Sequence, residues 1–134
     1  MNKDRIEILV VDDESGILEV TKEFFERKGF QVYTAENGKK ALDIVNREKI
    51  DCIFTDINMP VMDGLELAEQ IRQIDRTLPV VVMTGYPSLE NTIQTLKNGV
   101  VDYLIKPVNL GQMELTLRST LRERRLFVEN MMLK

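Results

Sequence analysis

Histidine and tryptophan are absent from the 134 residues, and cysteine occurs once. Without histidine the chain holds no Ser-His-Asp triad, no imidazole metal site, and no histidine of its own to carry a phosphoryl group. The lone thiol, Cys52, permits neither a disulfide framework nor a cysteine-based metal centre, and within an apolar segment it reads as small core filler. No apolar run approaches the ~20 residues that a membrane helix requires. Met1-Asn2-Lys3-Asp4 lacks a signal-peptide pattern, so a cytoplasmic location without membrane contact is expected. Positive charge is not in excess either. A net charge of −4 disfavours nucleic acid as a direct partner, because phosphate contacts need clustered Lys and Arg.

Apolar residues make up 43% and charged residues 30% of the chain, a composition that supports one folded domain with a proper core. Four short apolar runs each end in a polar residue. Ile8-Leu9-Val10-Val11 leads into Asp12-Asp13, Cys52-Ile53-Phe54-Thr55 into Asp56, Val80-Val81-Val82-Met83 into Thr84, and Tyr103-Leu104-Ile105 into Lys106. Short apolar runs bounded by turn signals predict strands buried on both faces. Gln31 to Ala35 is more polar and predicts an edge strand.

Helical patterns separate these strands. Ser15 is expected to cap a helix with Ile17, Val20 and Phe24 inward, stopped by Gly29. Asn37 opens a second, with Ala41, Leu42 and Val45 on one face. Leu65, Leu67, Ala68 and Ile71 mark a third, and Ser88 caps a fourth with Leu89, Ile93 and Leu96 inward. Leu110, Met113, Leu117 and Leu121 predict a fifth. Five strand-helix alternations imply right-handed crossovers around a parallel sheet, an α/β doubly wound fold.

If the last helix runs from Leu110 to Lys134, about half of it projects beyond the core, since domain helices average ~11–12 residues. Residues 109–134 carry five basic and three acidic side chains, with Val128, Met131 and Met132 along an apolar edge. The expected division is a domain over 1–122 and a helical extension over 123–134. That extension is read either as a frayed terminus or as a linker or dimer seam interrupted by Arg124.

In an open parallel sheet the carboxyl ends of the strands share one edge, where ligands bind. Asp12, Asp13, Asp56, Thr84 and Lys106 are therefore expected in one crevice. One strand-end aspartate alone is most simply a cap or turn. Three together repel unless they share a proton or a cation, and oxygen-only donors suit Mg2+. Such a site handles phosphoryl groups. Asp56 is then a ligand, or also a nucleophile forming an acyl phosphate, while Thr84 and Lys106 pair with phosphoryl oxygens.

The motifs Val10-Val11-Asp12-Asp13-Glu14, Thr55-Asp56-Ile57-Asn58-Met59-Pro60 with Asp63-Gly64, Met83-Thr84-Gly85, and Asp102-Tyr103-Leu104-Ile105-Lys106-Pro107 resemble those of response-regulator receiver domains. The likeness covers roughly residues 4–122. It implies a flavodoxin-like sheet in the order 2-1-3-4-5, a cis peptide before Pro107, and phosphorylation of Asp56 by a sensor histidine kinase or phosphotransfer protein. It further implies Mg2+ held by Asp12, Asp13, Asp56 and the Asn58 carbonyl, phosphoryl oxygens bound by Thr84 and Lys106, and Tyr103 as the switch aromatic. Output is implied through the face of the fourth helix, fifth strand and fifth helix, by a partner or by homodimerisation there or through the last helix. Tyr86, two residues after Thr84, is bulky at a position the family varies. Met83-Thr84-Gly85-Tyr86 and the tail around Arg124-Arg125-Leu126 look similar to receivers of enhancer-binding transcriptional activators.

Three other readings compete. A flavodoxin-like flavin module needs a Ser/Thr/Gly-rich phosphate loop after the first strand, where this chain has Asp12-Asp13-Glu14. A haloacid-dehalogenase-type phosphatase places its nucleophile in an Asp-x-Asp pattern on the first strand and encloses substrate with a cap domain, and neither feature is present. A phosphorylation-independent receiver-like binding module would not require every site residue to be in place.

Overall fold

The computed structural model describes residues 5–97 and 99–132, with the side chains at 89, 91, 94 and 96 outside the described set. Strands and helices alternate as β1 (Glu7–Val11), α1 (Ser15–Arg27), β2 (Gln31–Ala35), α2 (Gly38–Arg47), β3 (Cys52–Asp56), α3 (Gly64–Ile74), β4 (Val80–Thr84), α4 (Leu89–Lys97), β5 (Asp102–Ile105) and α5 (Leu110–Met132). The five strands are parallel in the order β2-β1-β3-β4-β5.

Period-two alternation along the strands sorts the core into two layers. Leu9, Val11, Ile53 and Val82 face α2 and α3 with Ala41, Leu67 and Ile71. Ile8, Val10, Cys52, Phe54, Val81 and Met83 face Phe25 of α1 and Met113 and Leu117 of α5. Because both faces are covered, every residue of β3 and β4 is buried. Cys52 is fully enclosed, and burial pushes its thiol up to about 12.

Several local expectations are corrected by the structure. β5 lies at the sheet edge, as the order 2-1-3-4-5 implies, but it is not buried on both faces, and its Ile105 is exposed. The inward stripe of α1 is Leu18, Thr21 and Phe25, one residue on from the expected Ile17, Val20 and Phe24. Tandem phenylalanines make either register apolar, and the edge-to-face contacts of Phe25 with Phe30 and its stacking on Phe54 select the second. Ser15 is the first helical residue rather than the cap. Glu14 holds that position without a side-chain bond, its N–H donating to Asp12 Oδ1 at 3.0 Å. Ile93 of α4 is exposed while Thr95 is buried; Leu89 and Leu96 lie outside the described side chains.

Other signals act as the sequence implies. Asn37 caps α2 by accepting from Lys40 N, and Gly29 takes φ +95 after α1, a conformation that a Cβ disfavours. α5 is one unbroken helix that buries Met113, Leu117 and Thr120. Arg124 turns back onto the body, donating to Asp51 O at 3.2 Å and Thr77 Oγ1 at 3.2 Å. Its contacts carry the packed part of α5 beyond the expected half, leaving Leu126, Phe127, Met131 and Met132 exposed.

Candidate functional site

Sheet register brings the strand ends together. Val11 pairs with Thr55, Asp56 with Met83, and Thr84 with Ile105. Asp12, Asp56, Thr84 and Lys106 therefore end four neighbouring strands along one edge. One oxygen from each of Asp12, Asp13 and Asp56 lies within 4.8 Å of the others. Asp12 and Asp56 are buried and Asp13 is exposed, so the cluster opens to solvent on one side.

Lys106 reaches into this cluster from the far strand. Its Nζ lies 3.0 Å from Asp12 Oδ2 and 3.2 Å from Asp56 Oδ2, with one fifth of the side chain exposed. The cis peptide between Lys106 and Pro107 follows directly, and Lys106 N donates to Thr84 O at 2.7 Å. Thr84 is fully buried, and its Oγ1 accepts from Tyr86 N at 3.0 Å. Asn58 is exposed; its N–H donates to Asp56 Oδ1 at 3.3 Å.

Burial raises the Asp56 carboxyl above its ordinary range, opposed by Lys106 and reinforced by Asp12. Lys106 is also displaced upward. Burial acts to lower it, but its hydrogen bond to Asp12 and the charges of Asp12 and Asp56 outweigh that. The pair thus keeps a basic carboxylate beside a firmly charged ammonium, a suitable preparation for receiving an anionic group.

The loop after Asp56 carries features that composition does not announce. Gly64 is forced by close approach: a Cβ there would sit 2.2 Å from the Asp56 carbonyl oxygen. Met62 N donates to Pro60 O at 2.8 Å across Val61, whose φ is +71. This i to i+2 bond with positive φ is the strained form of the γ-turn, here centred on a β-branched residue. Nothing in the sequence flags it. Asp63 caps α3, its Oδ1 accepting from Glu66 N at 2.8 Å; the Asp-x-x-Glu spacing was a legible signal for that cap.

Tyr103 is half-buried on β5 and packs against the layer facing α2 and α3. Its hydroxyl is buried and has no hydrogen-bond partner among the described residues. Beside Asp12 and Lys106, an apolar cavity of about 390 Å3 lies between α1 and the start of α5, lined by Ile17, Val20, Val108 and Met113.

Comparison with known proteins agrees with this geometry. A family model described as the response regulator receiver domain matches residues 8–118. The transcriptional regulatory protein ZraR of Klebsiella oxytoca is 36% identical over 126 residues, covering 94% of this chain and 28% of that protein. Sporulation initiation phosphotransferase F of Bacillus subtilis (strain 168) is 35% identical over 105 residues, covering 78% of this chain and 85% of that protein. A CheY-like receiver domain structure from Methanospirillum hungatei JF-1 superposes with TM-score 0.87 at 32% identity, covering 90% of this chain and 97% of that one. The chain thus spans under a third of the ZraR relative's length and most of the phosphotransferase's. It belongs to the response regulator receiver domain family, whose standard function is switching by phosphorylation.

Proposed function

We propose that Asp56 is the phosphoacceptor and that Asp12, Asp13, Asp56 and the main-chain carbonyl of Asn58 hold Mg2+ beside it. The observation that carries this reading is the convergence of three carboxylates within 4.8 Å with Lys106 Nζ 3.2 Å from Asp56. The donors are all oxygen, one edge is open, and three carboxylates exceed what one ammonium neutralises, which suits a hard divalent cation. Bound there, the ion supplies neutralising charge for phosphoryl oxygens.

One Asp56 oxygen attacks the phosphorus of a phosphohistidine on a sensor kinase or phosphotransfer protein. The new P–O bond forms as the P–N bond breaks, and the imidazole nitrogen keeps the electron pair and takes a proton from solvent. Lys106 exchanges part of its pairing with Asp56 for a phosphoryl oxygen, and the Thr84 hydroxyl turns from Tyr86 N to another. Attack of water on the same phosphorus returns free Asp56 and inorganic phosphate, so the domain catalyses its own dephosphorylation. The exposed Tyr86 at the crevice mouth modulates the entry of that water.

The move of Thr84 passes to Tyr103, and the output face is that of α4, β5 and α5, where Ile93, Val101, Ile105 and Leu115 are exposed. A partner or a second copy docks there, or along the exposed apolar end of α5. Residues 1–122 act as the phosphoacceptor unit in the cytoplasm, and 123–134 as its helical extension. Incubation with acetyl phosphate and Mg2+ is expected to add one phosphoryl group by intact mass, and Asp56→Asn to abolish it. An undiminished adduct in Asp56→Asn refutes the assignment.

A further inference from the structure

We propose that the cleft between α5 and the amino-terminal ends of β1 and β3 binds a phosphorylated small molecule of the nucleotide class. This site is separate from the aspartate crevice. Glu7 begins β1 and Asp51 precedes β3, whereas Asp12 and Asp56 lie at the other ends of those strands, about 15 Å away at the rise of an extended chain.

The cleft is open to solvent, has a volume of about 520 Å3 and is lined by Arg5, Lys49, Arg118, Arg122 and Arg125. A chain with net charge −4 thus gathers five cations around one cavity. Two of them are committed. Arg5 donates to Gly29 O and Phe30 O, and Arg118 pairs with Glu114 at 2.8 Å. Lys49, Arg122 and Arg125 have no ion-pair or hydrogen-bond partner among the described residues.

The two carboxylates of the lining, Glu7 and Asp51, are already engaged. Glu7 Oε1 accepts the Tyr33 hydroxyl at 2.9 Å. Asp51 Oδ2 accepts Glu7 N at 2.9 Å, and its Oδ1 lies 3.7 Å from Arg124 Nη1. Five cations against the carboxylates of Glu7 and Asp51, and of the Glu114 that pairs with Arg118, leave the charge of the cleft positive.

Three features select the ligand. The volume falls within the ~300–1,000 Å3 of small-molecule sites. Four of the five cations are arginines, whose planar forks match phosphate oxygens in pairs. Ile6 and Leu121 complete the lining with an apolar surface for a flat ring. An inorganic anion would use only the charge, and a nucleoside only the floor.

The test titrates the full chain by calorimetry at low salt, with chelator present to keep divalent ions from the aspartates. ATP, pyrophosphate and adenosine serve as probes. ATP is expected to saturate one site, pyrophosphate to bind more weakly there, and adenosine not to bind. The double variant Arg122→Glu/Arg125→Glu should weaken ATP by about tenfold or more, as expected for lost charge-assisted bonds. Lys39→Glu, a charge change of the same kind on exposed α2 surface, should leave it unchanged. Absence of saturable ATP binding overturns the proposal. So does equal binding by the double variant, equal loss in Lys39→Glu, or binding of an acidic peptide in place of ATP. Both variants should keep wild-type melting and acetyl-phosphate labelling of Asp56, so failure here leaves the phosphoacceptor reading standing.

Discussion

Replacing Val61 by glycine is expected to stabilise the domain, although it removes three carbons from an apolar residue. Val61 sits at φ +71 and closes the turn between Pro60 O and Met62 N. Holding a non-glycine residue in such a region costs about 1–3 kcal/mol. The side chain is 90% exposed, so its loss removes almost no buried apolar area. Glycine adds freedom to the unfolded chain, which offsets about 0.5–1 kcal/mol of the relief. The net expectation is a stabilisation of about 1 kcal/mol, or about 3–5 °C in melting temperature for a domain of this size. Circular dichroism melts and urea titrations measure it. Val61→Ala is the control: it removes most of the side chain but keeps the Cβ at positive φ, so it should move the midpoint by less than half as much. If glycine lowers the midpoint, or alanine matches glycine, strain at Val61 is not the reason.

Gly64→Ala should destabilise by more than about 2 kcal/mol and impair labelling of Asp56, because the added methyl meets the Asp56 carbonyl oxygen at 2.2 Å; a wild-type melt with normal labelling refutes this. In chelator, Asp56→Asn should melt above the wild type at neutral pH. The folded pKa of Asp56 is raised, so its ionisation opposes folding above that pKa and is relieved as pH falls towards the unfolded value. The gap should therefore close on acidification, and a gap that widens contradicts the sign. Millimolar Mg2+ should raise the wild-type midpoint by mass action, with about 1.4 kcal/mol at ten times its Kd, and Asp13→Ala should remove the response; equal shifts in both exclude the aspartate site. Asp75 is displaced downward: burial acts to raise it, and its bonds from Thr77 and the charge of Arg124 prevail. Its stabilising contribution is present above the unfolded carboxylate range and lost as pH falls through the folded value. Arg124→Ala should flatten that acid limb of the stability profile.

What the chain revealed in advance depended on how far each signal reached. The crevice was legible because apolar runs end in Asp12, Asp56, Thr84 and Lys106, and a parallel sheet gathers those ends along one edge; the order 2-1-3-4-5 followed from the resemblance of the motifs to receiver domains and not from the runs themselves. The inward stripe of α1 is ambiguous in the sequence because Phe24 and Phe25 are equally apolar, and only Phe30 and Phe54, brought by other elements, select one of them. β5 looked buried on both faces because Tyr103-Leu104-Ile105 is apolar, whereas the exposure of Ile105 is set by its place at the sheet edge. The γ-turn at Val61 had no signature, since valine is among the residues least suited to positive φ. In the sequence Arg124 stands as a break in an apolar seam; its partners, Asp51 and Thr77, lie 73 and 47 positions earlier, and no local pattern connects them.

The sealed position of Cys52 makes the molecule its own clock. A thiol with no exposed surface, held in its protonated form by burial, cannot meet a reagent while β3 stays between its neighbours. Modification of the unaltered chain therefore counts global openings rather than local fraying. The same silence frees the surface for chemistry, because a cysteine introduced beside Tyr103 or near Met132 would take a probe alone. Movement at the output face and unfolding of the sheet can then be timed on one polypeptide, with reagents that never confuse the two.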